Sequence, residues 1–402
     1  MFDRLVRLAP PGVVIGSVAS QVFRLLLLVW AGRFVSVRLG ADGILAMGVL
    51  QNLLVLGIAL PAQALQMPIQ QAAAGTDGKG GEGFLLGQIL AFLSSLVVVS
   101  LVLFGRIWVP AGLPAIVWIL PLGIFLTTAT SNIQAWTVGR GGLGRTNLLT
   151  AILSPLQAVW LLAWIATGRT GLVPGILLFG LIGFPVTAWR LGIPSLRPVR
   201  KLLSNLSGWW PLLAMASITT ILGPGAQMIL RELVLRDGIH AGAVWQSAVR
   251  LSDILFGTWA MAFTSWALPR LAGRDRDSSG SWYSGVGGIL LALIVLLTAP
   301  WLLSLAYAHR FQDATGVLRV QALAEILRAV GLPWTLRLMA RRAVLSFSLL
   351  EAGATLFQLG LASILIPRLG PVGASTAVLV EAGVTALVTW RLVRRLESRE
   401  RS

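Results

Sequence analysis

"RFVSVRLG", residues 33–40, returns as "RELVLRDG" at residues 231–238, with Arg33 over Arg231, Arg38 over Arg236 and Gly40 over Gly238. The offset is 198 residues, and the same offset carries "WTV" (136–138) onto "WTL" (334–336). An offset of 201 carries "AWRL" (188–191) onto "TWRL" (389–392). Three landmarks in one order, with almost no drift, mark an internal duplication. The chain therefore reads as two homologous halves, 1–200 and 201–402, joined by the basic stretch "LGIPSLRPVRKLLSNLS" (191–207).

Each half is made for lipid. The 402 residues are 56% hydrophobic and 12% charged, with a mean hydropathy of +0.82, a composition that belongs to polytopic membrane proteins. A helix needs about 20 apolar residues to cross the hydrocarbon core. Windows of that kind fall at 11–37, 43–73, 84–105, 113–138, 147–167, 171–190, 208–231, 241–268, 283–307, 317–339, 344–366 and 371–391. This predicts an all-α polytopic protein of twelve transmembrane helices in two pseudo-symmetric six-helix lobes. Six is even, so both lobes insert with the same orientation and are related by an axis along the membrane normal, with substrate expected between them. The basic, apolar N-terminal stretch is read as a retained first helix, because it has no small-residue cleavage site and carries Arg24.

The net charge of +17 does not point to nucleic acid, since the basic residues are scattered between apolar spans. They follow topology instead. With a cytoplasmic N-terminus, roughly 20 Lys and Arg fall inside, against roughly 7 outside: Arg38, Arg106, Arg169, Arg231, Arg236, Arg310 and Arg368. Both termini are thus expected in the cytoplasm. There is no cysteine and there are only two histidines, so no disulfide framework and no His/Cys metal site is expected.

Polar residues recur at helical spacing inside the spans. Ser17, Gln21 and Arg24 share one face of the first helix; Gln246, Arg250, Asp253 and Gly257 share a face of the eighth; Gln321, Glu325 and Arg328 share a face of the tenth. Glu351 and Glu381 stand in the last two spans. An ionisable residue at mid-membrane costs about 2.5–3.5 kcal/mol on insertion scales, so such groups face a protein interior or a wet cavity. Two readings are open: Arg250 with Asp253 and Glu325 with Arg328 neutralise one another at i, i+3, or the arginines line a cationic lumen for an anionic ligand. Arg24 has no acid in its own helix and favours the second reading. Most of the sixteen tryptophans, Trp118, Trp189 and Trp301 among them, sit near span ends as an aromatic belt. Trp245 reads as a packing residue.

No Walker-type phosphate loop and no nucleophile–base constellation occurs in the sequence. An enzyme is therefore not expected. Energy would come from a gradient, with Asp253, Glu325, Glu351 and Glu381 as carriers of a coupling proton or sodium ion; no other cofactor is called for.

The segments "GRFVSVRLGADGILAMG" (32–48), "GIHAGAVWQSAVRLSDILF" (238–256) with "LPRL" (268–271), "HRFQDATGVLRVQALAEILRAVG" (309–331) and "LLEAGATLFQLGLASILIPRLGPVGASTAVL" (349–379) resemble the Wzx-type flippases, particularly the enterobacterial common antigen branch. These belong to the multidrug, oligosaccharidyl-lipid and polysaccharide (MOP) exporter superfamily, to which the MATE proteins also belong. The resemblance implies a multi-pass inner-membrane protein of O-antigen or common-antigen biosynthesis. It would move an undecaprenyl-diphosphate-linked oligosaccharide to the periplasmic leaflet by alternating access through a cationic cavity between the lobes. It implies acidic positions at Asp253 and Glu325. Diphosphate ligands are expected at Arg24, Arg250 and Arg328, with Gln21, Gln246 and Gln321 as further cavity groups. Expected partners are the lipid-linked glycan, membrane lipids, a polysaccharide polymerase and a chain-length regulator, with no nucleic acid. The alternatives are a cation-coupled, MATE-like multidrug exporter and a non-transporting scaffold of an envelope glycan assembly.

Overall fold

A computed structural model describes residues 11–74, 80–104, 116–194, 199–272, 279–340 and 343–399. Among them there is helix and no strand. The helices are α1 (Pro11–Ile58), α2 (Leu65–Ala74), α3 (Gly80–Phe104), α4 (Ile116–Gly139), α5 (Leu143–Ile165), α6 (Leu172–Leu177) and α7 (Gly180–Leu191). They continue with α8 (Val199–Leu235), α9 (Ile239–Ala272), α10 (Ser279–Ala306), α11 (Ala314–Ala340), α12 (Val344–Leu369) and α13 (Pro371–Arg399). All twelve sequence windows fall on helical segments, and eight helices among the described residues are long and apolar enough to cross a membrane. The first and second windows share α1, which bends at Gly40 (φ 72°, ψ −152°). The sixth is split between α6 and α7.

The chain divides into two compact units, Met1–Gly225 and Ala226–Ser402. The division falls within α8, whose first turn holds the boundary expected from the sequence, between 200 and 201. In the first unit α1 packs chiefly on α5, and α4 packs on α2, α3 and α7. A π-helix, Ala59–Ala64, interrupts the path from α1 to α2. The Asn132 side-chain amide on α4 donates to the Pro61 carbonyl at 3.0 Å. Backbone groups loosened by a π-turn need such partners where water is absent. In the second unit α11 is central, packed on α13, α10 and α9.

Lipid solvation explains the surfaces. Phe92, Leu96, Val97 and Phe104 of α3 and Leu297 of α10 are exposed, which in water would be a liability and in a bilayer removes no stability. Trp118, Trp189 and Trp301 are also exposed, at 83%, 76% and 62%, as a belt requires, while Trp245 is buried at 1%. Hydroxyls inside the helices turn back on their own backbone: Ser95 donates to the Ala91 carbonyl, Thr137 to Ile133 and Thr389 to Thr385.

Local geometry repeats with the sequence. Gly40 and Gly238, matched in the opening landmark, both take positive φ (72° and 109°), a conformation that favours glycine. A second joint follows at an offset of 202: a Cβ on Gly171 would collide with the Trp164 carbonyl, and one on Gly373 with the Leu365 carbonyl. Both tryptophans of the repeated "WRL" stretch carry an arginine over the ring, though from different positions: Arg190, the next residue, lies 4.4 Å over Trp189, whereas Arg394, one turn on and outside the repeat, lies 5.1 Å over Trp390.

Candidate functional site

The second unit gathers most of the expected site. The face of α9 bearing Gln246, Arg250 and Asp253 and the face of α11 bearing Gln321, Glu325 and Arg328 belong to helices in contact with each other. Gln246, Arg250 and Gln321 are buried at 5%, 7% and 3%. Burial on one side of two packed helices is what their i, i+4, i+7 spacing predicts.

Arg328 is the centre of a carboxylate clamp. Its Nη1 lies 2.9 Å from Glu325 Oε1, one turn earlier on α11, and its Nη2 lies 3.7 Å from Glu381 Oε2 on α13. The other oxygen of Glu381 accepts a hydrogen bond from Thr385 Oγ1 at 2.7 Å. Both glutamate side chains are 11% exposed and the Arg328 side chain is 42% exposed. The helices come close enough for this because Gly331 sits one turn beyond Arg328. A Cβ there would meet the Ala386 Cβ at 3.2 Å. Glu351 on α12 is half-buried and within electrostatic reach of both Glu381 and Arg328.

Asp253 is within electrostatic reach of Glu325 and Arg328 of the clamp, and its hydrogen bond is made elsewhere. It is accessible, and its Oδ2 accepts a hydrogen bond from the Gln227 amide of α8 at 3.1 Å. Arg250, one turn earlier on α9, is within electrostatic reach of Asp253 and of the buried Tyr307. The self-neutralising reading of Glu325 with Arg328 is thus realised and extended by a third group from another helix. Asp253, Glu325, Glu351 and Glu381 accompany Arg250 and Arg328 in the second unit. Gln21 and Arg24 lie in α1, but their side chains are outside the described residues.

One residue escaped the sequence reading. Arg231, counted there among outer-loop arginines, lies within α8 and is 0% exposed. The signal available was its spacing: Gln227 and Arg231 are one turn apart, which puts both on one face of α8. Among the described residues no group of three or more His, Cys, Asp or Glu side chains is arranged to hold a metal ion.

No family profile matches the chain, and neither does any curated protein sequence. Solved structures do. An inward-facing multidrug resistance MATE family transporter of the MOP superfamily matches with a TM-score of 0.73 at 18% identity, over 97% of this chain and 99% of that one. An outward-facing structure of such a transporter matches with a TM-score of 0.67 at 19% identity, over 99% and 98%. A MOP superfamily transporter from Pyrococcus furiosus, described as having a binding pocket of reverse polarity that suggests a different function, matches with a TM-score of 0.69 at 18% identity, over 100% and 96%. The chain has the MATE/MOP transporter fold.

Proposed function

We propose that the chain is a membrane transporter that works by alternating access, exporting an undecaprenyl-diphosphate-linked oligosaccharide across the inner membrane. The observation that carries transport is the fold likeness, over nearly the whole chain, to both inward-facing and outward-facing transporters. The substrate class is supported by the flippase-like segments and by arginines on stripes at membrane depth, Arg24, Arg250 and Arg328. Guanidinium groups suit a diphosphate because they offer paired, planar donors.

The clamp supplies a rationale for coupling. In the resting arrangement Arg328 is engaged by Glu325 and Glu381. A diphosphate oxygen competes for the same N–H groups, and a proton or sodium ion arriving on a carboxylate weakens that carboxylate's hold. Substrate and cation then favour the same rearrangement, which is the condition for coupled transport. The C-terminal tail and N-terminus lie in the cytoplasm in this reading. A polymerase and a chain-length regulator would act on the delivered glycan.

A cation-coupled multidrug exporter is the second reading, favoured by the four carboxylates of the second unit and by the MATE proteins among the structural neighbours. Proteoliposomes decide between them. The first reading expects leaflet exchange of a labelled lipid-diphosphate oligosaccharide, abolished by Arg250→Ala in protein that still inserts. Export of a cationic dye that survives Arg250→Ala, with no lipid exchange, would replace it with the second.

A further inference from the structure

The last turns of α13 lie outside the site described above, and they have no counterpart in the first half. There α7, which bears "AWRL", stops at Leu191, and Gly192 takes φ 79°. In the second half the helix runs on past "TWRL" and adds "VRRLESR" (393–399). This extension has two sides. Arg391, Arg394, Arg395 and Ser398 are exposed, and their i, i+3, i+4, i+7 spacing gathers them within an arc of about 100°. Val393, buried at 1%, and Glu397 lie on the other side, and Glu397 accepts a bond from Arg337 of α11 at 3.4 Å. The packed side thereby fixes the direction of the basic one, and the one carboxylate within 391–399 is already engaged. Among the described residues no ion pair involves Arg391, Arg394 or Arg395.

Depth in the bilayer selects what such a face can meet. The span read from the sequence closes at Arg391, with Trp390 at its end as belt tryptophans stand. Arg394 lies 5.1 Å over the Trp390 ring, which keeps its guanidinium back at the level of the indole. At 1.5 Å per residue, 391 to 395 cover about 6 Å along the axis, close to the thickness of one headgroup layer. Three guanidinium groups in that layer face lipid phosphates, which they can bind through paired N–H donors. A zwitterionic headgroup brings its own cation with the phosphate, whereas an acidic one does not. A folded partner would have to displace lipid to reach the same groups.

We infer that the end of α13 is a docking surface for acidic phospholipid headgroups of the phosphatidylglycerol class, with Arg391, Arg394 and Arg395 holding the phosphate. The surface is separate from the carboxylate clamp and independent of what the protein transports. It anchors the end of α13 in the headgroup layer, while the Arg337–Glu397 bond ties the same turns to α11.

The sequence contains no cysteine, so Ser398→Cys in the full chain gives a single position for a fluorophore beside the arginines. The labelled protein is placed in phosphatidylcholine vesicles containing a minor fraction of phosphatidylglycerol, and a nitroxide is carried on the acyl chain of either lipid. Labelled phosphatidylglycerol should quench with roughly fivefold preference over labelled phosphatidylcholine, and the preference should fade at high salt. The triple variant R391Q/R394Q/R395Q should lose it. Equal quenching by the two lipids in the wild type, or a preference that persists in the triple variant, would overturn the assignment. So would a preference abolished by a soluble acidic peptide at matched ionic strength, which would make the face a protein site. Should the triple variant fail to insert, salt decides in the wild type: a preference unchanged at high salt rejects the surface.

Discussion

Arg328 shows how one residue comes to hold three elements. Its bond to Glu325 follows from i, i+3 spacing and was visible in the sequence, whereas its approach to Glu381 depends on how α13 packs on α11. Removing the arginine leaves two largely buried carboxylates facing each other. Arg328→Met should lower stability by about 1–3 kcal/mol, discounted for the partial exposure of the guanidinium. Adding Glu325→Gln and Glu381→Gln should restore most of that loss while transport stays absent; unfolding curves and a mutant cycle in detergent measure it. The equivalent change at the exposed pair His240 and Asp313, 3.6 Å apart, should cost less than about 0.5 kcal/mol. Arg231 was misassigned for a physical reason: positive charges near a span end are usually solvated, and only burial separates the exception from the rule.

At the scale of elements, the joints between helices carry the duplication into structure. Gly171 precedes α6, and Gly373 lies in the first turn of α13. Each comes so close to a carbonyl of the preceding helix that any side chain collides with it. Gly373→Ala should therefore destabilise by more than about 2 kcal/mol, read as a lower unfolding temperature. Gly360 lies mid-helix in α12 with nothing within 4 Å of an added Cβ, and Gly360→Ala should stabilise by about 0.5–1 kcal/mol through the unfolded chain's lost freedom. The π-helix needs its own support: Asn132→Leu removes the donor to Pro61 and should cost about 1–3 kcal/mol, with faster amide exchange confined to residues after Ile58. Pro61 and Pro68 in "GIALPAQALQMP" (57–68) are residues that interrupt a helix, yet nothing in the sequence names Asn132, 71 residues from Pro61, as the partner.

For the molecule as a whole, the charge distribution sets orientation. A reporter fused after Ser402 should be active on the cytoplasmic side, and one inserted at Asp237 should report the opposite side; reversed signals would overturn the orientation. Hydropathy, the repeat of "RFVSVRLG" as "RELVLRDG" and the polar stripes are local or periodic properties, and they determined by themselves an all-helical membrane chain in two related halves with its charges on α9 and α11. The tertiary structure alone decided which charges neutralise one another, that Arg328 is shared by Glu325 and Glu381, that Asp253 leans on Gln227, and that Arg231 is interior. The reason is that a helix face fixes the direction of a side chain relative to its own axis, while the partner it meets depends on the rotation and neighbour of every other helix. That information resides in packing, where one small residue such as Gly331 sets the distance across which two charges interact.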